Sequence, residues 1–333
     1  MLWLEGVIGS RLQVIMILDA DLINSKCVIK MNAQALRELV GNIQHQISKK
    51  YVFADIADSI SAFLEARLST GEYDAASTPE ELASAITADL RHVSNDEHLR
   101  VRYFVEPHMP ETDGDAVFEQ NDRQQHVEQI SFGISKIEFL EGNIGYIAFR
   151  EFVEHGKAAE YITAAMTLLA KSNALIIDLR NCCGGDPATV TWLCSYLFNK
   201  RTSLSALHLR QNNKVEQFHT QDWVPGQRFG EEKPVYLLLA HYTFSGAEML
   251  AYDLQATGRA TVIGETSGGG AHACQFVWPT PHFSLLLPVA QPISPISKAN
   301  WEKVGVKPDI PVNANDALVT AYDLAIADIN SHT

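Results

Sequence analysis

The chain has 333 residues, 46% apolar and 20% charged, with a formal net charge of -14 from 40 acidic and 26 basic residues. That is enough apolar material for one large core and a smaller accessory domain, and it excludes disorder as the default state. An acidic chain with no Lys/Arg-rich run lacks the concentrated positive charge that phosphate binding requires, so nucleic acid is excluded as an expected partner.

Residues 1–31 carry no clear period. Their longest apolar run, Leu12 to Leu18, is interrupted by Gln13 and closed by Asp19, too short to cross a bilayer and without a small-residue cleavage site. They read as a loosely attached arm, and no transmembrane segment is expected. The five cysteines, Cys27, Cys182, Cys183, Cys194 and Cys274, are odd in number and form no C-x-x-C pair. Neither a disulfide framework nor a thiolate metal site is indicated, no cofactor is expected, and a reducing cytoplasm is the expected compartment.

Helical spacing begins after Met31, with Leu36, Leu39, Val40, Ile43 and Ile47 on one stripe and Ile56, Ile60, Phe63, Leu64 and Leu68 on the next. Ser77-Thr78-Pro79-Glu80-Glu81 combines a Thr cap, a proline at the first helical position and acids in the first turn, which opens a third helix through Leu82, Ile86 and Leu90. Residues 32–102 are thus predicted to be a small helical N-terminal domain. From Ile144 the pattern alternates. Strands are predicted at 144–152, 174–179, 235–240 and 260–263, and helices at 158–171, 187–198 and 246–256. This alternation predicts parallel crossovers and an α/β core over 103–333, with a hairpin from Cys274–Trp278 and Phe283–Leu287 and a last helix at 314–329.

Ligands of open α/β sheets gather at the carboxyl ends of strands, and two such junctions stand out. Ile176-Ile177-Asp178-Leu179-Arg180 leads into Gly184-Gly185-Asp186-Pro187. Paired glycines there can aim backbone N–H groups at an anion, or can simply make a tight turn. The apolar strand Leu237-Leu238-Leu239 leads into Thr243-Phe244-Ser245-Gly246-Ala247-Glu248. Ser245 reads either as a helix N-cap or as a nucleophile whose oxyanion the Gly246 N–H would stabilise. The elbow G-x-S-x-G is absent. A serine nucleophile needs a base, ordinarily imidazole. Twelve histidines compete for the role; His241 and His272 flank plausible site loops, and spacing alone does not select the remote His98.

Four segments in this order resemble the tail-specific, C-terminal-processing serine peptidases, in particular the branch similar to interphotoreceptor retinoid-binding protein. Asp96-Glu97-His98-Leu99 resembles D-x-H-L, and Asp178-Leu179-Arg180 with Gly184-Gly185 resembles D-L-R-x-N-x-G-G. Thr243 to Glu248 resembles T-x-S-x-x-E, and Asn300-Trp301-Glu302 with Gly305-Val306-Lys307-Pro308-Asp309 resembles N-W-E-x-x-G-V-x-P-D. The resemblance implies a ClpP/crotonase-like catalytic core with a small N-terminal helical domain, and peptide or protein substrates. It also implies a tricorn-type triad in which Ser245 attacks, His98 is the base and Glu302 orients the imidazole. Gly246, Gly184 and Gly185 would form the oxyanion hole, and the loop with Gly269, Gly270 and His272, next to Phe244, would meet substrate. Gly270 stands where Ser-Lys members carry their lysine, Cys182 where the family has asparagine, and Glu97 where tricorn-type enzymes have serine. Residues 103–143 leave no room for a PDZ insert. The alternative implied by the same branch is a non-catalytic module holding a retinoid, fatty acid or peptide, with Phe244, Trp278 and Phe283 as the apolar lining.

Overall fold

A computed structural model describes residues 31–108 and 127–331. The chain divides into two compact units, Met1–His108 with Gln275–Leu287, and Met109–Cys274 with Pro288–Thr333. All of the expected arm except Met31 lies outside the described residues.

The first unit is built on three helices, α1 (Ala33–Lys50), α2 (Ala54–Ser69) and α3 (Pro79–Ser94). Asn32 caps α1 by accepting from the Ala35 N–H at 2.8 Å. The five residues of the predicted stripe, Leu36 to Ile47, are its buried face, each worth about 1.5–3 kcal/mol when fully withdrawn from water. Thr78 caps α3 through the Glu81 N–H, and the Glu81 carboxylate accepts from the Ser77 N–H, as the local sequence predicts. The helix stops at Asn95, whose φ of 52° is left-handed, a conformation asparagine tolerates. That stop turns the chain into the buried segment Asp96–His98 and then into β1 (Arg100–Tyr103). β1 pairs antiparallel with residues 283–286, Arg100 opposite Leu286 and Tyr103 opposite Phe283.

The second unit carries β2 (Ile134–Leu140), β3 (Ile144–Phe149), α4 (His155–Leu169), β4 (Ala174–Asp178) and α5 (Pro187–Ser195). There follow β5 (Ser203–Leu209), β6 (Lys214–His219), β7 (Val235–Leu239), α6 (Gly246–Ala256) and β8 (Thr261–Gly264). The expected hairpin is β9 (Ala273–Thr280) with β10 (Phe283–Ile293), and β11 (Ile310–Pro311) and α7 (Ala317–Ser331) end the chain's described part. One sheet runs β11-β8-β7-β4-β3-β2, parallel throughout except for antiparallel β2 at its edge. Its central strands are buried on both faces. Leu175, Ile177, Leu237 and Leu239 join Ile162, Met166, Leu250 and Leu254 of α4 and α6, whereas Ile176, Tyr236 and Leu238 meet Ala317, Ala321 and Ala325 of α7. Strands covered by helices on both sides read as continuous apolar runs, which is why β4 and β7 are legible in the sequence. The antiparallel pair β5–β6, continued by residues 290–293 of β10, is not. β6 is Lys-Val-Glu-Gln-Phe-His, exposed along most of its length, and it offers no apolar alternation to read.

Candidate active site

The strand-to-helix turn after β7 is tied down before it reaches the serine. The Thr243 hydroxyl donates to the Leu179 carbonyl at 2.9 Å and accepts from the Ala240 N–H at 3.0 Å, and the Phe244 N–H donates to the Cys182 carbonyl at 3.2 Å. Ser245 then occupies the N-cap position of α6 with φ 51° and ψ -122°. An ordinary N-cap is extended; a serine held at positive φ is a strained residue, and such strain persists only where surrounding bonds over-determine it. Those bonds converge on Glu248. Its carboxylate, fully buried, accepts from Ser245 N–H at 2.8 Å, Ser267 Oγ–H at 2.5 Å, Gly269 N–H at 2.7 Å and Gly270 N–H at 2.8 Å. Burial pushes the Glu248 carboxyl up, and the four donors, from Ser267, Gly269, Gly270 and Ser245, oppose it.

The paired-glycine turn packs directly on this serine. Gly184 and Gly185 have φ of 100° and 131°, and a Cβ on Gly184 would lie 2.7 Å from both Ser245 Cβ and Gly246 N. A Cβ on Gly246 would fall 2.7 Å from the Gly185 carbonyl oxygen and 3.0 Å from its nitrogen. Glycine is therefore required on both sides of the contact. Among the described residues no hydrogen-bond acceptor stands on the N–H of Gly185 or Gly246, whereas the Gly184 N–H faces the sulfur of Cys182. Burial pushes that thiol up to about 12, so Cys182 is protonated at neutral pH and is a poor nucleophile.

The glycine-rich loop and the Asn300–Val306 segment form one hydrogen-bonded patch beside the helix head. Lys303 N–H donates to the Gly269 carbonyl at 2.8 Å, Val306 N–H to Ser267 Oγ at 2.7 Å, and the buried Trp301 indole N–H to the Gly270 carbonyl at 3.3 Å. Phe244 covers the loop: a Cβ on Gly270 would sit 2.0 Å from its ring. Glu302 accepts from Ala271 N–H at 2.7 Å and His272 N–H at 3.3 Å, and its Oε1 stands 3.6 Å from Nδ1 of the buried His272. The second unit thus brings together Ser245, Gly246, Gly184, Gly185, Phe244, Gly269, Gly270, His272 and Glu302.

His98 lies in the first unit, 8% exposed. Asp96 Oδ1 is 2.9 Å from its Nδ1 and accepts its backbone N–H at 3.0 Å, while Tyr51 O–H donates to Asp96 Oδ2 at 3.0 Å. A carboxylate on Nδ1 selects the tautomer whose Nε2 is the basic nitrogen, the arrangement a general base needs. Glu97 instead pairs with Arg91 at 2.8 Å. Asp96 is a partner of His98 to which the sequence reading assigns no role: an acid two positions before a candidate histidine is its only local signal, and Tyr51 has none. Trp278 and Phe283 also belong to this unit, Trp278 stacked on His108 at 4.1 Å and Phe283 tilted against Tyr103 at 5.2 Å.

Residues 143–312 match the family model described as peptidase family S41, and residues 21–137 match the one described as the N-terminal domain of peptidase S41 in eukaryotic IRBP. Among solved structures, a lipoprotein from Streptococcus agalactiae is 15% identical with a TM-score of 0.61, over 88% of this chain and 96% of that one. The photosystem II D1 C-terminal processing protease is 14% identical with a TM-score of 0.52, over 86% and 94%. The tricorn protease is 13% identical with a TM-score of 0.53, over 90% of this chain and 37% of that one. Likeness at these identities is a likeness of fold, and it agrees with the α/β core and helical N-terminal region expected from the sequence. Among the described residues no helix is long and apolar enough to cross a membrane.

Proposed function

This chain belongs to peptidase family S41, and we propose that it is itself a serine peptidase in which Ser245 is the nucleophile and His98 the general base. Family membership makes peptides or proteins the substrate class. The observation that carries the nucleophile assignment is the conformation of Ser245: φ 51° at a helix N-terminus, against a glycine pair, with the Gly185 and Gly246 N–H groups beside it. In this reading Ser245 Oγ attacks the scissile carbonyl as its proton passes to imidazole Nε2, and the carbonyl oxygen becomes an oxyanion held by the N–H groups of Gly246 and the Gly184–Gly185 turn. The proton then goes to the leaving amine, and water hydrolyses the acyl-enzyme by the same steps. One preorganised donor of this kind is worth about 3 kcal/mol of transition-state stabilisation.

Two acids compete for the orienting role. Glu302 is the one the motif resemblance assigns; Asp96 is the one within 3 Å of His98 Nδ1. Asp96→Asn and Glu302→Gln, assayed side by side, assign it to whichever costs more in kcat at unchanged KM.

Labelling by a fluorophosphonate, followed by peptide mapping, tests the whole reading. Wild type is expected to be modified at Ser245 and to hydrolyse a quenched fluorescent peptide library, and Ser245→Ala to do neither. Label on another serine, or hydrolysis surviving in Ser245→Ala, would sink the assignment. A second base is worth testing because His272 meets Glu302 in the same unit as Ser245. Loss of labelling in His272→Ala but not in His98→Ala would transfer the role.

A further inference from the structure

The second unit has an open groove of about 290 Å³ that uses none of the candidate active-site residues. It is walled by the start of α4, one side of α5 and the end of β6 with the turn after it, and its lining includes His155, Trp192, Arg201, Gln217, Phe218 and Gln221. Its floor is the Trp192 ring. The Trp192 indole N–H is committed to the Ala159 carbonyl and to Thr163 Oγ1, each at 3.2 Å, so the ring cannot turn and offers carbon surface rather than a donor. The His155 ring stands edge-on to it, centroids 5.3 Å apart at 69°, at the start of α4, where the backbone N–H of His155 donates to Asp186 Oδ2 at 2.7 Å. The anchored face of Trp192 beside an open volume of this size suits a planar ring.

The rim has the opposite chemistry. Arg201 has a side chain 56% exposed and, among the described residues, one long contact, 3.4 Å to Asp222 Oδ2, whose own side chain is 74% exposed. A pair so open to water holds the guanidinium weakly, which leaves most of its fork of donors for a ligand. None of the ten lining residues is acidic, on a chain whose net charge is -14. Donors above an aromatic slot, on an otherwise acidic molecule, select an anion carried by a ring.

We propose that this groove binds an aromatic carboxylate, its ring on Trp192 and its carboxylate on Arg201. The same chemistry comes from two sources, a free arylalkanoate and the C-terminal phenylalanine of a peptide, and two arms distinguish them. Calorimetric titration of the full chain with 3-phenylpropionate and with 3-phenylpropanamide reads the free ligand. Titration of Ser245→Ala with N-acetyl-glycyl-phenylalanine and its C-terminal amide reads the peptide without cleavage. In at least one arm the acid is expected to bind about tenfold more tightly than its amide, the difference made by one charge-assisted contact. The arm with the tighter acid names the source. Arg201→Gln, at an exposed position where folding is not at stake, is expected to abolish the preference for the acid, and Trp192→Leu to weaken acid and amide alike. Equal binding of acid and amide, no binding of either acid, or a preference that survives Arg201→Gln would overturn the proposal. Neither readout depends on hydrolysis, so these outcomes leave the peptidase reading untouched.

Discussion

At the head of α6, Glu248 is buried with all of its acceptor capacity used by four donors. Five residues along the same helix, Asp253 is equally withdrawn from water, but only one of its oxygens is served: Ser205 donates its N–H at 3.0 Å and its hydroxyl at 2.6 Å to Oδ1. Oδ2 has no partner among the described residues. The helix itself deepens the contrast, since its partial positive end lies at Glu248 and its partial negative end beyond Asp253. Burial costs both carboxylates. Both carboxyls are raised by burial; at the head four donors oppose the shift and hold a strained serine and a glycine-rich loop in place, whereas at the tail, with one oxygen served, the carboxyl is pushed to about 6. What the saturated carboxylate adds is a clamp on the residues that donate to it.

The sharpest test of that contrast makes the same chemical change at both ends. Glu248→Gln turns an amide NH2 toward N–H donors and leaves at least two of them unmet, so urea unfolding should show a loss of about 4 kcal/mol, with fluorophosphonate labelling of Ser245 lost in step. A loss under 1 kcal/mol would show that the head is not clamped. Next in size is Gly184→Ala. Its Cβ would lie 2.6 Å from the Phe244 carbonyl and against Gly246 N, so kcat should fall about 100-fold, or about 3 kcal/mol, through displacement of the proposed oxyanion donors.

Asp253→Asn should act on pH dependence instead. The folded carboxyl lies above its ordinary value of 3.8, at about 6. Its contribution to stability is therefore fully present below about pH 4 and is lost as pH rises through about 6, a change of at most about 3 kcal/mol. Wild-type melting temperature should drop across that window, and the drop should shrink in Asp253→Asn; identical curves would place the titration elsewhere. Smallest is Thr243→Val. It removes the hydroxyl that donates to Leu179 and accepts from Ala240, for an expected loss of about 1–2 kcal/mol in chemical denaturation.

Much of this was readable in advance, for reasons particular to each element. The α1 stripe and the α3 cap obey local rules, and β4 and β7 are runs of apolar residues because both of their faces are covered. The helix Gly246–Ala256 has the predicted ends because glycine, glutamate and its apolar positions lie within one short segment. β5 and β6 went unread because an antiparallel pair with one exposed strand leaves almost no apolar period. At the site, motif resemblance selected Ser245, His98 and Glu302, but nothing local separated Ser245 the nucleophile from Ser245 the cap. The positive φ of Ser245 is what supports the first of these readings, and torsion is not written in residue type. Asp96 was quoted only as part of a motif; its contact with His98 depends on the left-handed stop at Asn95, which aims a short segment back on itself.

By itself, the sequence determined the element types, the apolar faces that must be buried and the two strand-to-helix junctions where chemistry could sit, since these follow from residue period and turn chemistry along a few neighbouring positions. Only the tertiary structure decided which donors reach Glu248, which glycines touch Ser245 and which carboxylate meets which imidazole. Some of those contacts join residues far apart in the chain, Gly184 to Ser245 for one, and even those between near neighbours, Asp96 with His98 and Ser245 with Glu248, need the backbone torsions that folding fixes, because hydrogen bonding is a matter of tenths of an ångström.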